Sequence, residues 1–205
     1  MKIIEPSFEI LSNVDGIEVL KTIEFVGRTC YKSYDKITDD SSVQFVKKLI
    51  ECGHEAMIEH YNITVKIICD RGVSHELVRH RVASYAQEST RYCNYSHDRF
   101  NNEITVITPF GLSSQQYYYW HDSCTVAEKC YFAMLESGST PQMARSVLPT
   151  SLKTEIVVTM NLREWRHFFK LRTAIGAHPQ MREITIPMLS MFKKLIPVVF
   201  DDIMS

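Results

Sequence analysis

The sequence has no glycine-rich loop, no cysteine pair at metal-ligand spacing and almost no net charge. Its seven glycines stand apart from one another, which excludes a dinucleotide-binding fingerprint and a P-loop. Any nucleotide would have to be held by side chains and helix ends. The six cysteines contain no C-x-x-C, and a chain of 205 residues needs no disulfide staples. Free thiols in a reducing cytoplasm are therefore expected. His54 with His60, and His75 with His80, lack the further ligands that a zinc site takes at fixed spacing, so no metal is expected. With 23 basic and 24 acidic side chains the formal charge is −1. That gives neither the global basic field of a nucleic-acid binder nor an acidic solvating tail. No apolar run approaches the length that spans a bilayer, and the opening Met1-Lys2-Ile3-Ile4-Glu5-Pro6 is too short and acidic for a signal peptide.

What remains is an ordinary globular composition, 45% hydrophobic and 23% charged, long enough for one domain over residues 1–205. Ser41 with Gln44 predicts a capping box. The helix it opens turns Phe45, Val46, Leu49 and Ile50 inward and closes at Gly53. Tyr61, Ile63, Val65, Ile67 and Cys69 alternate with polar residues, as in a half-buried strand. A helix follows from about Asp70 to about Arg79, then a short strand over Ile104 to Ile107. Residues 117–135 read as helix, and Thr140-Pro141 starts a short one that Pro149 ends. Thr154, Ile156, Val158 and Met160 give another alternating strand. Asn161 caps a helix with Glu164 three residues on. Met181, Ile184, Met188, Met191 and Leu195 form the inward stripe of a last helix, in which Pro187 predicts a kink or a broken start. The fold class is mixed α/β (α+β): a small, mainly antiparallel sheet of three or four strands packed with long helices in a single domain.

Charge is unevenly placed. Five of the eleven arginines lie between Arg71 and Arg99 with no lysine among them, and the acids there are Glu76, Glu88 and Asp98. Arginine without lysine suits bidentate anion recognition, although a helix face paired with acids elsewhere would look the same. Arg79-His80-Arg81 falls at a helix end, where cations also offset the dipole by about 0.3–1 kcal/mol. The loop after it adds Ser84, Ser89, Thr90 and Arg91, a set able to bind phosphate through charge-assisted hydrogen bonds. Trp165, Phe168, Phe169 and Arg172 share one helix face, apolar until Arg172. A guanidinium buried there needs an acid or an anionic ligand as partner.

Arg79-His80-Arg81, seven residues and then Ser89 resembles the signature of the flavin-dependent thymidylate synthases. Gly53-His54-Glu55 with Glu59-His60, Ala144 to Pro149, Asn161 to Arg172, and His178-Pro179-Gln180 are similar to further family segments, so the resemblance runs from about Gly27 to about Phe192. It implies an FAD enzyme that converts dUMP to dTMP, with 5,10-methylene-tetrahydrofolate giving the methylene group and NADPH recharging the flavin. It implies FAD contacts from His54, Ala56, Arg79, His80, Arg81, Gln87, Asn161, Arg163 and His167. It implies dUMP contacts from Glu76, Leu77, Val78, Arg79, Gln87, Glu88, Ser89, Thr90, Arg91, Arg145 and Arg172, with Arg145 coming from a neighbouring subunit. It further implies a cytoplasmic homotetramer that needs neither nucleic acid nor membrane. Glu76 stands where many relatives have Gln, Ala86-Gln87 where Asn-Glu is frequent, Ala56 where a hydroxyl is common, and His167 where some have Asn.

In that family no enzyme nucleophile attacks the ring, so positioning and electrostatics carry the reaction. Arg172 is the expected catalytic residue, stabilising the pyrimidine as its N3 proton leaves. Two other classes compete. A nucleotide-binding flavin reductase would keep the FAD residues but has no reason for Arg91, Arg145 and Arg172. An RNA-binding module would use the arginine cluster but expects a basic surface. A zinc deaminase is excluded by the missing H-x-E and C-x-x-C.

Overall fold

The computed structural model describes residues 1–97 and 100–204. Asp98 and Arg99 of the arginine-rich stretch lie outside the described residues. In chain order the elements are β1 (Lys2–Ile4), β2 (Ser7–Ile10), α1 (Gly16–Thr29), α2 (Ser41–Glu51), β3 (Asn62–Asp70), α3 (Arg71–Leu77), β4 (Ala83–Gln87), β5 (Thr105–Ile107), α4 (Ser114–Glu136), α5 (Pro141–Ala144), β6 (Lys153–Asn161), α6 (Leu162–Arg172) and α7 (Pro179–Leu195). Short 3-10 turns cover Tyr34–Lys36, Glu55–His60 and Arg145–Val147. The fold is mixed α/β, as expected. There are two sheets where one was expected: a four-stranded sheet in the order β2-β3-β6-β4, and a β1-β5 pair. The β1-β5 pair is parallel, Lys2 opposite Thr105 and Ile4 opposite Ile107. In the larger sheet β3 and β6 run antiparallel, since Leu162 N donates to Tyr61 O while Arg71 N donates to Leu152 O.

Contacts divide the chain into two compact units. One comprises Met1–Ser7, Ile67–Arg79 and Ala86–Val157; the other comprises Phe8–Lys66, His80–Tyr85 and Val158–Ser205. The first has a core of Tyr95, Ile104, Val106, Cys124, Tyr131, Ala144 and Leu152. The second is built on an aromatic cluster, with Trp165, Phe168, Phe169, Phe192 and Phe200 in ring contact at centroid distances between 5.0 and 5.8 Å. Trp165 Nε1 donates to Ile63 O at 3.1 Å, which satisfies the indole inside that core.

Several local expectations change. Ser41 does not cap α2. Asp40 is the N-cap, while the Ser41 hydroxyl accepts from Thr38 N and donates to the buried Glu24. Glu24 needs those partners, because an unpaired buried carboxylate is costly, and its second partner is Arg28 at 2.7 Å. Of the α2 residues expected inward, Val46 is fully buried while Phe45, Leu49 and Ile50 are half-buried. Residues 83–87, read as loop, form edge strand β4. On α7, Met191 faces outward and Phe192 takes the core position. That helix is assigned continuously through Pro187.

Candidate active site

In the first unit, α3 begins where Asp70 accepts from Val73 N at 2.7 Å, a side-chain N-cap, and ends at Leu77 with Val78 as its C-cap. Of the residues expected here, Leu77 is buried, Glu76 half-buried, and Val78 and Arg79 exposed. The segment after β4 is clamped from several sides. Glu88 N donates to Glu155 O, and Arg71 Nη1 donates to Glu88 O at 3.2 Å. The Glu88 carboxylate accepts from Tyr95 Oη at 3.2 Å and from Lys153 Nζ at 3.1 Å. Burial works against the Lys153 charge, but its bonds to Glu155 and Glu88 outweigh it and hold the pKa above the ordinary lysine value. Burial, reinforced by Glu88, pushes the Tyr95 phenol up, so it stays a neutral donor.

Ser89 to Cys93 make a tight turn. Cys93 N donates to Ser89 O at 2.8 Å, and Arg91 N to Ser89 Oγ at 3.3 Å. Thr90 is buried and accepts from Arg145 Nη1 at 3.4 Å. Arg145 and Arg91 are both exposed, and Arg91 stacks on Tyr92 with 5.2 Å to the centroid. The structure therefore joins Arg145 to the 89–91 turn within one chain, and guanidinium groups at such a turn can hold an anion through charge-assisted bonds. The Gln87 amide donates to Ser74 Oγ and Thr154 Oγ1. Lys153, Tyr95 and Arg71, the supports of Glu88, were missed. Only Arg71 carried a signal, as a member of the arginine cluster.

In the second unit, α2 ends in a Schellman motif. Gly53, at φ 70°, donates to Ile50 O, and His54 N donates to Leu49 O. That sets His54 on the surface, with Ala56 also exposed. His54 lines one groove, with Tyr31, Gln44, Phe45 and Lys48. Asn161, Arg163 and His167 line another, a cleft of about 600 Å³ with Glu55, Glu59, Val82, Glu164 and Lys170. Its volume suits a cofactor. Asn161 caps α6, accepting from Glu164 N at 2.9 Å. The Glu164 carboxylate does not return to complete a capping box; it meets His80 Nδ1 at 3.2 Å. Arg163 is exposed and paired with Glu59 and Glu55, and Arg81 is exposed.

His80 is buried, and Arg172 Nε donates to its Nε2 at 3.1 Å. Burial, with Arg172 adding to it, lowers the His80 pKa against the opposing pull of Glu164. Tyr85 Oη donates to His80 O at 2.7 Å, and its own pKa is pushed up to about 12 by burial. Arg172 is half-buried. The buried guanidinium of α6 is Arg166, 1% exposed, which the sequence reading passed over. It is bonded to Glu55, to Val199 O and, bidentately, to Asp202. Nor did the sequence spacing show that His80, Glu164 and His167 converge, their ligand atoms lying within 4.8 Å of one another. A metal there would need His80 Nδ1 without its proton while Nε2 still accepts from a guanidinium. The chemistry of the set disfavours a divalent cation for that reason.

The fold and these two clusters define a mixed α/β protein with an arginine-rich turn in one unit and a cation-bearing cleft in the other. A family model described as thymidylate synthase complementing protein matches residues 14–198, and the chain belongs to that family. A protein of Geobacter sulfurreducens named flavin-dependent thymidylate synthase is 32% identical over 187 residues, covering 88% of this chain and 80% of that one. One of the same name from Pyrococcus abyssi is 35% identical over 184 residues, covering 85% and 75%. The crystal structure of a UMP/dUMP methylase, PolB from Streptomyces cacaoi, bound with 5-Br dUMP, matches with a TM-score of 0.82 at 21% identity. That match covers 98% of this chain and 96% of the other, and it carries the fold.

Proposed function

We infer that the chain is a flavin-dependent thymidylate synthase that methylates dUMP to dTMP. The observation that carries this is the match to the family over residues 14–198 together with the arginine turn and the Arg172 cluster. FAD is the cofactor, and the cleft beside Asn161 is the place proposed for it. Arg163, His167 and Lys170 offer donors to a pyrophosphate. The exposed pair of Arg163 with Glu59 exchanges easily, because such surface pairs are worth about 0–1 kcal/mol. When bound, the flavin supplies the hydride. Methylene-tetrahydrofolate as methylene donor and NADPH as reductant complete the reaction we propose, in a cytoplasmic homotetramer whose 1–205 chain works as one domain.

The residue roles follow the chemistry. Arg91, Arg145, Ser89 and Thr90 hold the dUMP phosphate, with Glu76, Leu77, Val78, Arg79, Gln87 and Glu88 around the nucleoside. His54, Ala56, Asn161, Arg163 and His167 serve the flavin, together with Arg79, Arg81 and Gln87. Arg172 faces the uracil ring. As the N3 proton leaves, its charge stabilises the electron-rich pyrimidine, an electrostatic contribution that grows toward the transition state.

The test is direct. The purified chain should be yellow, should oxidise NADPH, and should form dTMP when dUMP and methylene-tetrahydrofolate are both present. Flavin binding and NADPH oxidation without any dTMP would favour the flavin reductase reading instead.

A further inference from the structure

The middle residue of Arg79-His80-Arg81 behaves unlike its neighbours. Both arginines are exposed, whereas the His80 residue is 4% exposed. Its ring lies edge-on against Phe168, centroids 5.0 Å apart, with His167 at 5.6 Å. Both ring nitrogens are engaged. An arginine Nε–H can only donate, so the Nε2 that it meets is the lone-pair nitrogen. The ring proton then sits on Nδ1 and points at Glu164. The hydrogen bonds run in one direction, from guanidinium to imidazole to carboxylate.

The helix explains why an imidazole is needed. Glu164, Phe168 and Arg172 sit at i, i+4 and i+8 of α6, on one face. The outer two are about 12 Å apart along the axis, too far to pair directly. His80 lies across Phe168 and bridges them. Its backbone is held by the Tyr85 hydroxyl, and the start of α6 is held by the Asn161 cap.

We propose that Glu164 and His80 are positioning residues for Arg172: Glu164 keeps the buried His80 in the tautomer that offers Nε2 to Arg172 Nε, and so fixes the guanidinium plane toward the uracil ring. His80 thus serves the pyrimidine side of the reaction through its ring. The proposal rests on the reading that Arg172 faces the uracil.

Four single variants of the full chain, E164A, H80N, H80Q and R172A, and the double variant E164A/R172A test it. The readouts are kcat for dTMP, dUMP affinity by calorimetry, flavin content and melting temperature. E164A should lower kcat about ten-fold, within the range for partners in one network, with flavin retained. H80Q, whose carbonyl can stand in for Nε2 as an acceptor, should keep more activity than H80N, which mimics only Nδ1. In the R172A background E164A should change dUMP affinity less than about two-fold, because the path it acts through is gone. Glu164→Gln, which keeps the side-chain volume, replaces E164A should alanine unfold the site, and is expected to lower kcat in the same direction. Additive losses from Glu164 and Arg172 would overturn the proposal, as would flavin lost in step with activity in the His80 variants. Normal dTMP formation by R172A would instead remove the role of Arg172 itself.

Discussion

The proposed phosphate turn shows how much can depend on one guanidinium. Arg91 is exposed, its planar head lying on Tyr92, so truncation leaves no buried hole. Its loss should read almost purely as lost ligand binding. A charge-assisted bond to phosphate is worth about 1.5–3 kcal/mol, so Arg91→Ala should weaken dUMP binding roughly ten-fold or more, and Ser89→Ala less, with flavin content retained. Calorimetric titration with dUMP checks it; flavin loss with normal dUMP affinity would place Arg91 elsewhere. The cysteines carry a complementary expectation. All six are free, and burial pushes the Cys69 thiol up to about 12 and that of Cys124 to about 11, away from the thiolate a nucleophile requires. Cys93 lies in the turn itself, its backbone N donating to Ser89 O, and a nucleophilic thiol there would need an activating base. Cys93→Ala should retain most dTMP formation; complete loss in a folded, flavin-loaded protein would point to a thiolate mechanism.

At the scale of elements, the sequence was most legible where one periodicity governs. The alternations of β3 and β6, the Asn161 cap and the Gly53 stop all form as read. It was least legible where a polar residue sits inside an apolar pattern because tertiary partners satisfy it. Buried Glu24 interrupts the stripe of α1, and Arg166, buried on α6, is paired with the distant Glu55 and Asp202. Strand β4 escaped because an edge strand buries one face only in part, and its alternation is weak. Two element-scale outcomes follow. A Cβ on Gly53 would meet nothing within 4 Å, so Gly53→Ala should cost only the left-handed backbone, about 1–2 kcal/mol, seen as a lower melting temperature. No measurable loss would mean that the α2 stop is made elsewhere. Asp202 titrates with a sign that can be worked out. Its hydrogen bond to Arg166 holds its carboxyl below the ordinary 3.8. The folded value is therefore below the unfolded one, and the stabilisation is complete above 3.8 and lost as pH falls through the folded value. The melting-temperature gap between wild type and Asp202→Asn should be open near neutral pH and close under acid; a gap independent of pH would contradict the pairing.

For the whole molecule, the family motif was visible in the sequence, while the contacts that arrange the proposed site residues were not. The sequence could place Arg172 on the face of Trp165, Phe168 and Phe169 but could not see His80 arriving against that face from 92 positions away in the chain. Gly27 illustrates the same limit. Its fitness comes from the closeness of Phe45, whose ring atom would lie 2.6 Å from an added Cβ, a contact that no local pattern encodes. No helix among the described residues is long and apolar enough to cross a membrane. The role proposed for Arg172 depends on the fixed plane of its guanidinium and not only on its charge. The measurement that tests this most directly is dTMP formation by Arg172→Lys, taken with flavin content and melting temperature. Lysine keeps the charge but loses the planar fork and the Nε–H that His80 receives. Arg172→Lys should give a folded, flavin-loaded protein that oxidises NADPH and makes little dTMP; dTMP at the wild-type rate would contradict the proposed role of the guanidinium plane.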